Sequence, residues 1–458
     1  MGGLSATLLI GIQALEANQG AINATSNNIA NANTPGYTRE VAQFTETPVS
    51  QQNNVVLGGG VNLNGLVSVR DELLNLQIQQ QTSSQSSVDT QSTSLQQVQT
   101  YFTTTGGDIA SALSSFSSSL AELSANSSDA AVQQTVLSSG QNLAKAFNNT
   151  ANGLTSVQSA ANSEVTQTVA QINTLTKQIA QLNGQLWQLQ AAGQDGGTVQ
   201  DQRDQAVQQL SQLTGIAVTQ SSDGETITTG NGSPLVMGSQ SFSLQTTTGS
   251  NGTQQVIDTS GNNITSSIQG GQLGGAIQIR DQVIPGYLNQ LNTLATQFGA
   301  SFNAAQAQGF DSNGNAGQNF FTVPSGSGAA AGFSVAITDP SLLAVSSDGS
   351  SGSNGNVANL SATLTNKLPS GQTPTQAYAS LVYQVGNDTS TASSQSSAIG
   401  QNLLQLTNQQ SAISGVSIDE ETTNLIRYQQ AYEAAARIVS TVQALGTVTL
   451  DMGSSQSY

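Results

Sequence analysis

Three short stretches carry side chains whose type and spacing could do chemistry. In GFDSNGNAG (309–317), Asp311, Asn313 and Asn315 stand at alternate positions, as the first oxygen ligands of a calcium loop do. Such a loop also needs Gly at its sixth position and Glu at its twelfth; here those are Ala316 and Thr322. A turn rich in Asn and Gly is the expected use. DQRD (201–204) gathers Asp201, Arg203 and Asp204, two carboxylates and a guanidinium. It reads as the charged first turn of a helix. Asp419, Glu420 and Glu421 could form an acid pair. However, Ser417 and Glu420 match a capping box, and acids suit the positive end of a helix dipole.

What is missing narrows the chemistry further. The chain has no cysteine and no histidine. That removes disulfides, histidine or cysteine zinc sites, and Ser-His or Cys-His triads. GGG at 58–60 lacks the following Lys-Ser/Thr of a phosphate loop. Sequons at Asn126, Asn148 and Asn387 are expected by chance in so Asn-rich a chain. No catalytic residue, metal or cofactor is predicted. The formal net charge is -17, from 26 acids and 9 bases, which argues against nucleic acid or an anionic membrane as partner. No apolar run approaches the ~18 residues of a membrane span. The start MGGLSATLLIGIQALE has no basic region before its apolar run, so a cleaved signal peptide is not expected.

The elements that must position these stretches are written in sevens. Leu8, Leu15, Ile22 and Ile29 are spaced by seven, as are Ile418, Leu425, Tyr432 and Val439. Each series predicts an amphipathic helix with a narrow seam, and the two seams are expected to pair as a coiled coil. The first helix should stop near Asn31 to Asn33, where Thr34-Pro35-Gly36 turns the chain. A third series, Val165, Ile172, Ile179 and Leu186 with Leu175, Leu182 and Leu189, marks a long internal helix over about 129–192. Further helices are predicted near 71–102, 108–123, 199–214, 277–307, 374–413 and 418–449, with a break at Gly106-Gly107. Between 216 and 275, short strand-like runs alternate with Gly, Asn and Asp.

The fold class is therefore mainly α with a small β subdomain. Residues 1–36 and 416–458 form a terminal coiled-coil polymerisation domain. Residues 37–215 and 276–415 form an elongated helical middle domain, into which the strands of 216–275 are inserted. Residues 1–36 hold one charged side chain, Glu16. An ordinary solvated helix face carries many charges. A face of Asn, Gln, Ser, Thr and Ala avoids the cost of burying charge, so the terminal helices are expected to contact neighbouring subunits as well as each other.

LEANQGAINATSNNIANANTPGYTRE (15–40) resembles the amino-terminal signature of the flagellar axial proteins, the rod, hook and hook-associated group. SGVSIDEETTNLIRYQQAYEAAARIVSTVQAL (414–445) is similar to the carboxyl-terminal one. DQRDQAVQQLSQLTG (201–215), LGGAIQIRD (273–281), GFDSNGNAGQNFF (309–321) and AYASLVYQVG (377–386) narrow the resemblance to the hook-associated family of the first hook–filament junction. The resemblance implies a non-enzymatic homo-oligomer in a helical ring, with the hook protein on one side and the second junction protein on the other. It implies export through the flagellar channel to an extracellular site. It also implies an export chaperone on about Ile418 to Leu450, and terminal helices that order only on assembly. Longer relatives insert an outer β domain after Phe321; near 322–333 this sequence has only a short Ser/Gly/Ala stretch, so that domain is expected to be absent. A flagellin-like filament subunit is the alternative reading, and a cell-wall hydrolase a third.

Overall fold

The computed structural model describes residues 2–47, 50–52, 55–103, 107–221 and 224–454. Met1, Gly106 of the expected break, and 455–458 of the carboxyl-terminal unit lie outside the described residues. Helix α1 (Gly2–Ala30) leads into strands β1 (Glu40–Glu46), β2 (Ser50–Gln52), β3 (Val55–Leu57) and β4 (Val61–Ser68). Helices α2 (Glu72–Thr100), α3 (Ile109–Ala125), α4 (Ala130–Ala191) and α5 (Gly197–Leu213) follow. Next come β5 (Ile216–Ser221), β6 (Gly224–Thr229), β7 (Pro234–Met237), β8 (Gln240–Ser241), β9 (Gln245–Thr248) and β10 (Gln254–Ile257). Helix α6 (Gly271–Gln278) passes through one π turn (Ile279–Val283) into α7 (Ile284–Gln306). The small pair β11 (Phe321–Thr322) and β12 (Ser334–Val335) precedes α8 (Val357–Thr365), α9 (Pro374–Ser414) and α10 (Ile418–Ser454). The architecture is mainly helical with small sheets. Among the described residues, no helix is long and apolar enough to cross a membrane.

Helix α4 organises the body. Its 62 residues span about 93 Å, and two hydrophobic cores lie along it. Toward its start, Val136, Leu143, Phe147 and Leu154 pack with α3, α7, α8 and the first half of α9. There Phe116, Phe298, Phe302, Phe320, Phe321 and Phe333 form one ring cluster, with centroids as close as 4.7 Å. Toward its end, Val165, Ile172, Ile179 and Leu182 are buried against α5, α6 and the antiparallel sheet β5-β6-β7-β8. Leu186 is also buried, and Leu175 and Leu189 are half-buried. The internal heptad thus marks a face that closes a core inside one chain.

Two helices escaped the sequence pattern. Helix α6 begins at Gly271, ahead of the expected 277, although three glycines depress its helix propensity. Its packing supplies the reason. A Cβ at Gly275 would meet the Ser87 carbonyl of α2, so the glycines let two helices approach. The nine-residue α8 is too short for periodicity to stand out. The loops DTSGN (258–262) and DSNGN (311–315) fold alike. Asp258 accepts from the amides of Ser260 and Asn262, and Asp311 from those of Asn313 and Asn315. The Asp311 carboxylate therefore closes its own turn.

Candidate assembly interface

Helices α1 and α10 lie antiparallel. At one end a Cβ on Gly11 would come within 2.8 Å of Val439 Cγ2, so the helices approach closely there. At the other, Asn28 Nδ2 donates to Glu421 Oε2 at 3.1 Å. The side chains buried between are small: Ala17, Ala21, Ala24 and Ala435, with Val442 beyond. Leu8, Leu15, Ile22, Ile29, Leu425, Tyr432 and Val439 are half-buried, and Ile418 is exposed. Val439, one of these, makes the close approach to Gly11. The antiparallel ribbon β1–β4, grouped with the middle body from residue 37 in the sequence reading, covers one side of this pair. Leu63 fills the space beside Gly20, and the Phe44 and Tyr428 rings stand 6.2 Å apart.

The asparagine-rich end of α1 is a hydrogen-bond hub. Asn28 is 1% exposed. Its Nδ2 donates to the Glu40 carbonyl at 2.8 Å as well as to Glu421, and its Oδ1 accepts from Tyr37 Oη at 2.8 Å and Glu40 N at 3.0 Å. Burial and the nearby carboxylates of Glu40, Asp201 and Glu421 push the Tyr37 hydroxyl up, so it stays a donor. Asn31 donates to the Asn27 carbonyl and accepts from Thr34, which ends the helix with local side-chain bonds; Asn33 is exposed. The Pro35 carbonyl accepts from Gln205 of α5 at 2.7 Å. Gly36 has φ +77 and lies against the same Gln205, so a side chain there would be strained and blocked.

The DQRD segment explains why this turn sits where it does. Asp201 and Asp204 both pair with Arg70, and Asp201 also accepts from Thr38 N at 3.1 Å. Arg203 reaches Glu225 at 2.8 Å and Asp204 at 3.2 Å. These charges are largely buried and join α5 to the turn, to the start of α2 and to β6. Burial pushes the Asp204 and Glu225 carboxyls up, against the pull of their arginines. Beside them Glu40, 5% exposed, sits at the first residue of α5, where Gly197 N donates to Asp195. Burial first, then the Asp195 carboxylate, raises Glu40 to about 7. Arg39 completes the joint, pairing with Glu420 at 3.2 Å while its amide donates to the Ser414 carbonyl at 2.9 Å. The capping acids thus divide: Glu420 holds Arg39, and Glu421 enters the seam. A cleft of about 300 Å³ remains between the turn, α2, α5 and the end of α9.

Away from the seam, α1 carries a single charge, Glu16, whereas α10 exposes Asp419, Glu420, Arg427, Glu433, Arg437 and Asp451 beside its apolar groups. Leu9 and Ile12 on α1 and Ile426, Ile438, Leu445, Val448 and Leu450 on α10 are exposed. So many exposed large apolar residues on two neighbouring helices exceed the scattered apolar groups of an ordinary surface.

Matches to known families have the same layout. Residues 8–38 match flagella basal body rod protein, and 409–451 match the flagellar basal body rod FlgEFG protein C-terminal family. Residues 95–321 match the flagellar hook-associated protein FlgK helical domain. Paired terminal helices around a helical body, with these matches, define a flagellar axial protein. Flagellar hook-associated protein 1 of Bacillus subtilis (strain 168) is 31% identical over 477 residues, which cover 93% of this chain and 94% of the relative. The Escherichia coli (strain K12) protein of that name is 28% identical, covering 94% and 96%. The solved structure of the flagellar hook junction protein FlgK from Burkholderia pseudomallei shares the fold, with TM-score 0.67 and 20% identity over 74% of this chain and all of that one. The chain belongs to the flagellar hook-associated protein 1 family.

Proposed function

We propose that this chain is a non-enzymatic structural subunit that assembles as a helical ring and joins the flagellar hook to the filament. The observation that supports this best is the α1–α10 pair, which leaves Leu9, Ile12, Ile426, Ile438, Leu445, Val448 and Leu450 exposed and carries one charge, Glu16, on α1. In the ring, terminal helices with the β1–β4 ribbon form the innermost layer. The α2–α9 body lies further out and carries the β5–β10 sheets. Leu8, Leu15, Ile22 and Ile29 with Leu425, Tyr432 and Val439 hold the pair, and exposed Ile418 faces a neighbour. The turn at Asn31, Asn33, Pro35 and Gly36 is the boundary between the two layers. The hook protein and the second junction protein are its neighbours along the axis. An export chaperone on 418–450 would cover the same apolar face before secretion through the flagellar channel.

The β11–β12 pair supports the absence of a large outer domain, since Phe321 pairs with Val335 and the loop between them is short. The alternative of a flagellin-like filament subunit is not favoured by the family matches. The test is a strain lacking this gene. Hooks without filaments, flagellin shed into the medium, and rescue by the parent chain but not by Leu425→Asp are expected. Filaments attached at the parental frequency in the deletion strain would contradict the proposal.

A further inference from the structure

The α1–α10 seam repeats every seven residues, so a slip by one heptad would leave seam positions facing seam positions. On α1, Ala14, Ala21 and Asn28 occupy one seam position in successive heptads; on α10, Glu421, Tyr428, Ala435 and Val442 do the same. Alanine recurs in these series at 14, 21 and 435. Sliding one helix by a heptad, about 10 Å, would keep members of the two series facing each other. The buried contact between the series is polar. Asn28 and Glu421, 1% and 3% exposed, meet at 3.1 Å at the turn end of the pair.

Beyond the proposed role in the ring, we infer that the Asn28–Glu421 pair fixes the register in which α1 and α10 join. In the observed register each of the four Asn28 bonds is made, two of them to Glu40 backbone groups and one to Tyr37. After a one-heptad slip, Asn28 would face Tyr428 or lie beyond the start of α10, and the Glu421 carboxylate would lose its donor. An unpaired buried amide or carboxylate is costly, and one polar seam residue is a known means of choosing between otherwise similar registers. Because Tyr37 and Glu40 belong to the segment that leads to α5, the chosen register also sets where the pair stands on the body.

The absence of cysteine makes the test clean. Three full-length reporters carry Gly11→Cys with Val439→Cys (observed register), with Gly446→Cys, or with Tyr432→Cys (one heptad either way). Each is the only copy in the cell, and is oxidised both on intact flagella and as secreted chain. The ratio of the three cross-linked products is read, so a fall in total pairing does not imitate a slip. The parent should give the 11–439 product almost alone. Asn28→Leu should shift the ratio toward the slipped products by about tenfold or more, whereas Glu421→Gln, which keeps an acceptor for Asn28, should stay near the parent. A parental ratio in Asn28→Leu would overturn the inference. So would loss of all three products together, because Asn28 would then be needed for pairing rather than for register. Neither result would bear on whether the chain joins hook to filament, which the deletion strain reads separately.

Discussion

Helices α4 and α10 are both long, yet they bury different things. Helix α4 buries Val, Leu, Ile and Phe from Val132 to Leu186 and finds partners on both of its halves within the chain. Helix α10 buries only Glu421, Ala435 and Val442 among its described residues and leaves Ile426, Ile438, Leu445, Val448 and Leu450 in the open. A buried leucine or phenylalanine side chain stabilises by roughly 1.5–3 kcal/mol, whereas alanine contributes far less. The body therefore holds itself together. The terminal pair buries small residues and makes specific polar bonds, and it leaves much of its apolar area exposed.

The sharpest way to break that contrast is inside the phenylalanine cluster. Phe302→Ala should cost the body about 3–5 kcal/mol in denaturant unfolding, while Leu15→Asp on α1 should leave the same transition within about 0.5 kcal/mol and abolish filament attachment. If Leu15→Asp moved both equally, the two regions would be one folding unit. The joint between them comes next. Arg70→Met leaves Asp201 and Asp204 side by side without their shared cation, and should cost about 3 kcal/mol and expose the 35–38 turn to protease.

A smaller effect should come with pH. The Glu40 carboxyl is raised to about 7 in the folded chain, so the folded state holds a proton that the unfolded state releases near 4.5. Its contribution is fully present below that value and is lost as pH rises through about 7. Glu40→Gln should flatten this part of the stability profile, and an unchanged profile would remove Glu40 from the joint. The smallest effect is at the calcium-like loop. Asp311→Ala should cost about 1 kcal/mol through its lost turn bonds, and millimolar calcium should leave the parent's melting temperature unmoved.

These regions also differ in how far they could be read from sequence. The 129–192 helix was legible because Val165, Ile172, Ile179 and Leu186 are large, regular and buried together. The existence of α1 and α10 was legible for the same reason. The close approach at Gly11 was not, because glycine carries no hydrophobic signal and matters through its nearness to Val439. Asn28 was hidden among Asn27, Asn31 and Asn33, and only the fold shows that one of the four is buried. The available clue was its place seven residues after Ala21. Similarly, DQRD reads locally as a helix start, and its ties to Arg70, Thr38 and Glu225 come from segments far away in the chain.

Hydrogen exchange on the full-length chain, free and then incorporated in flagella, tests the central contrast most directly. In the free chain, amides of α4 and α7 should exchange slowly and those of α1 and α10 quickly; incorporation should slow α1 and α10 and leave α4 unchanged. Amides of α1 and α10 already as slow as those of α4 in the free chain would contradict the account.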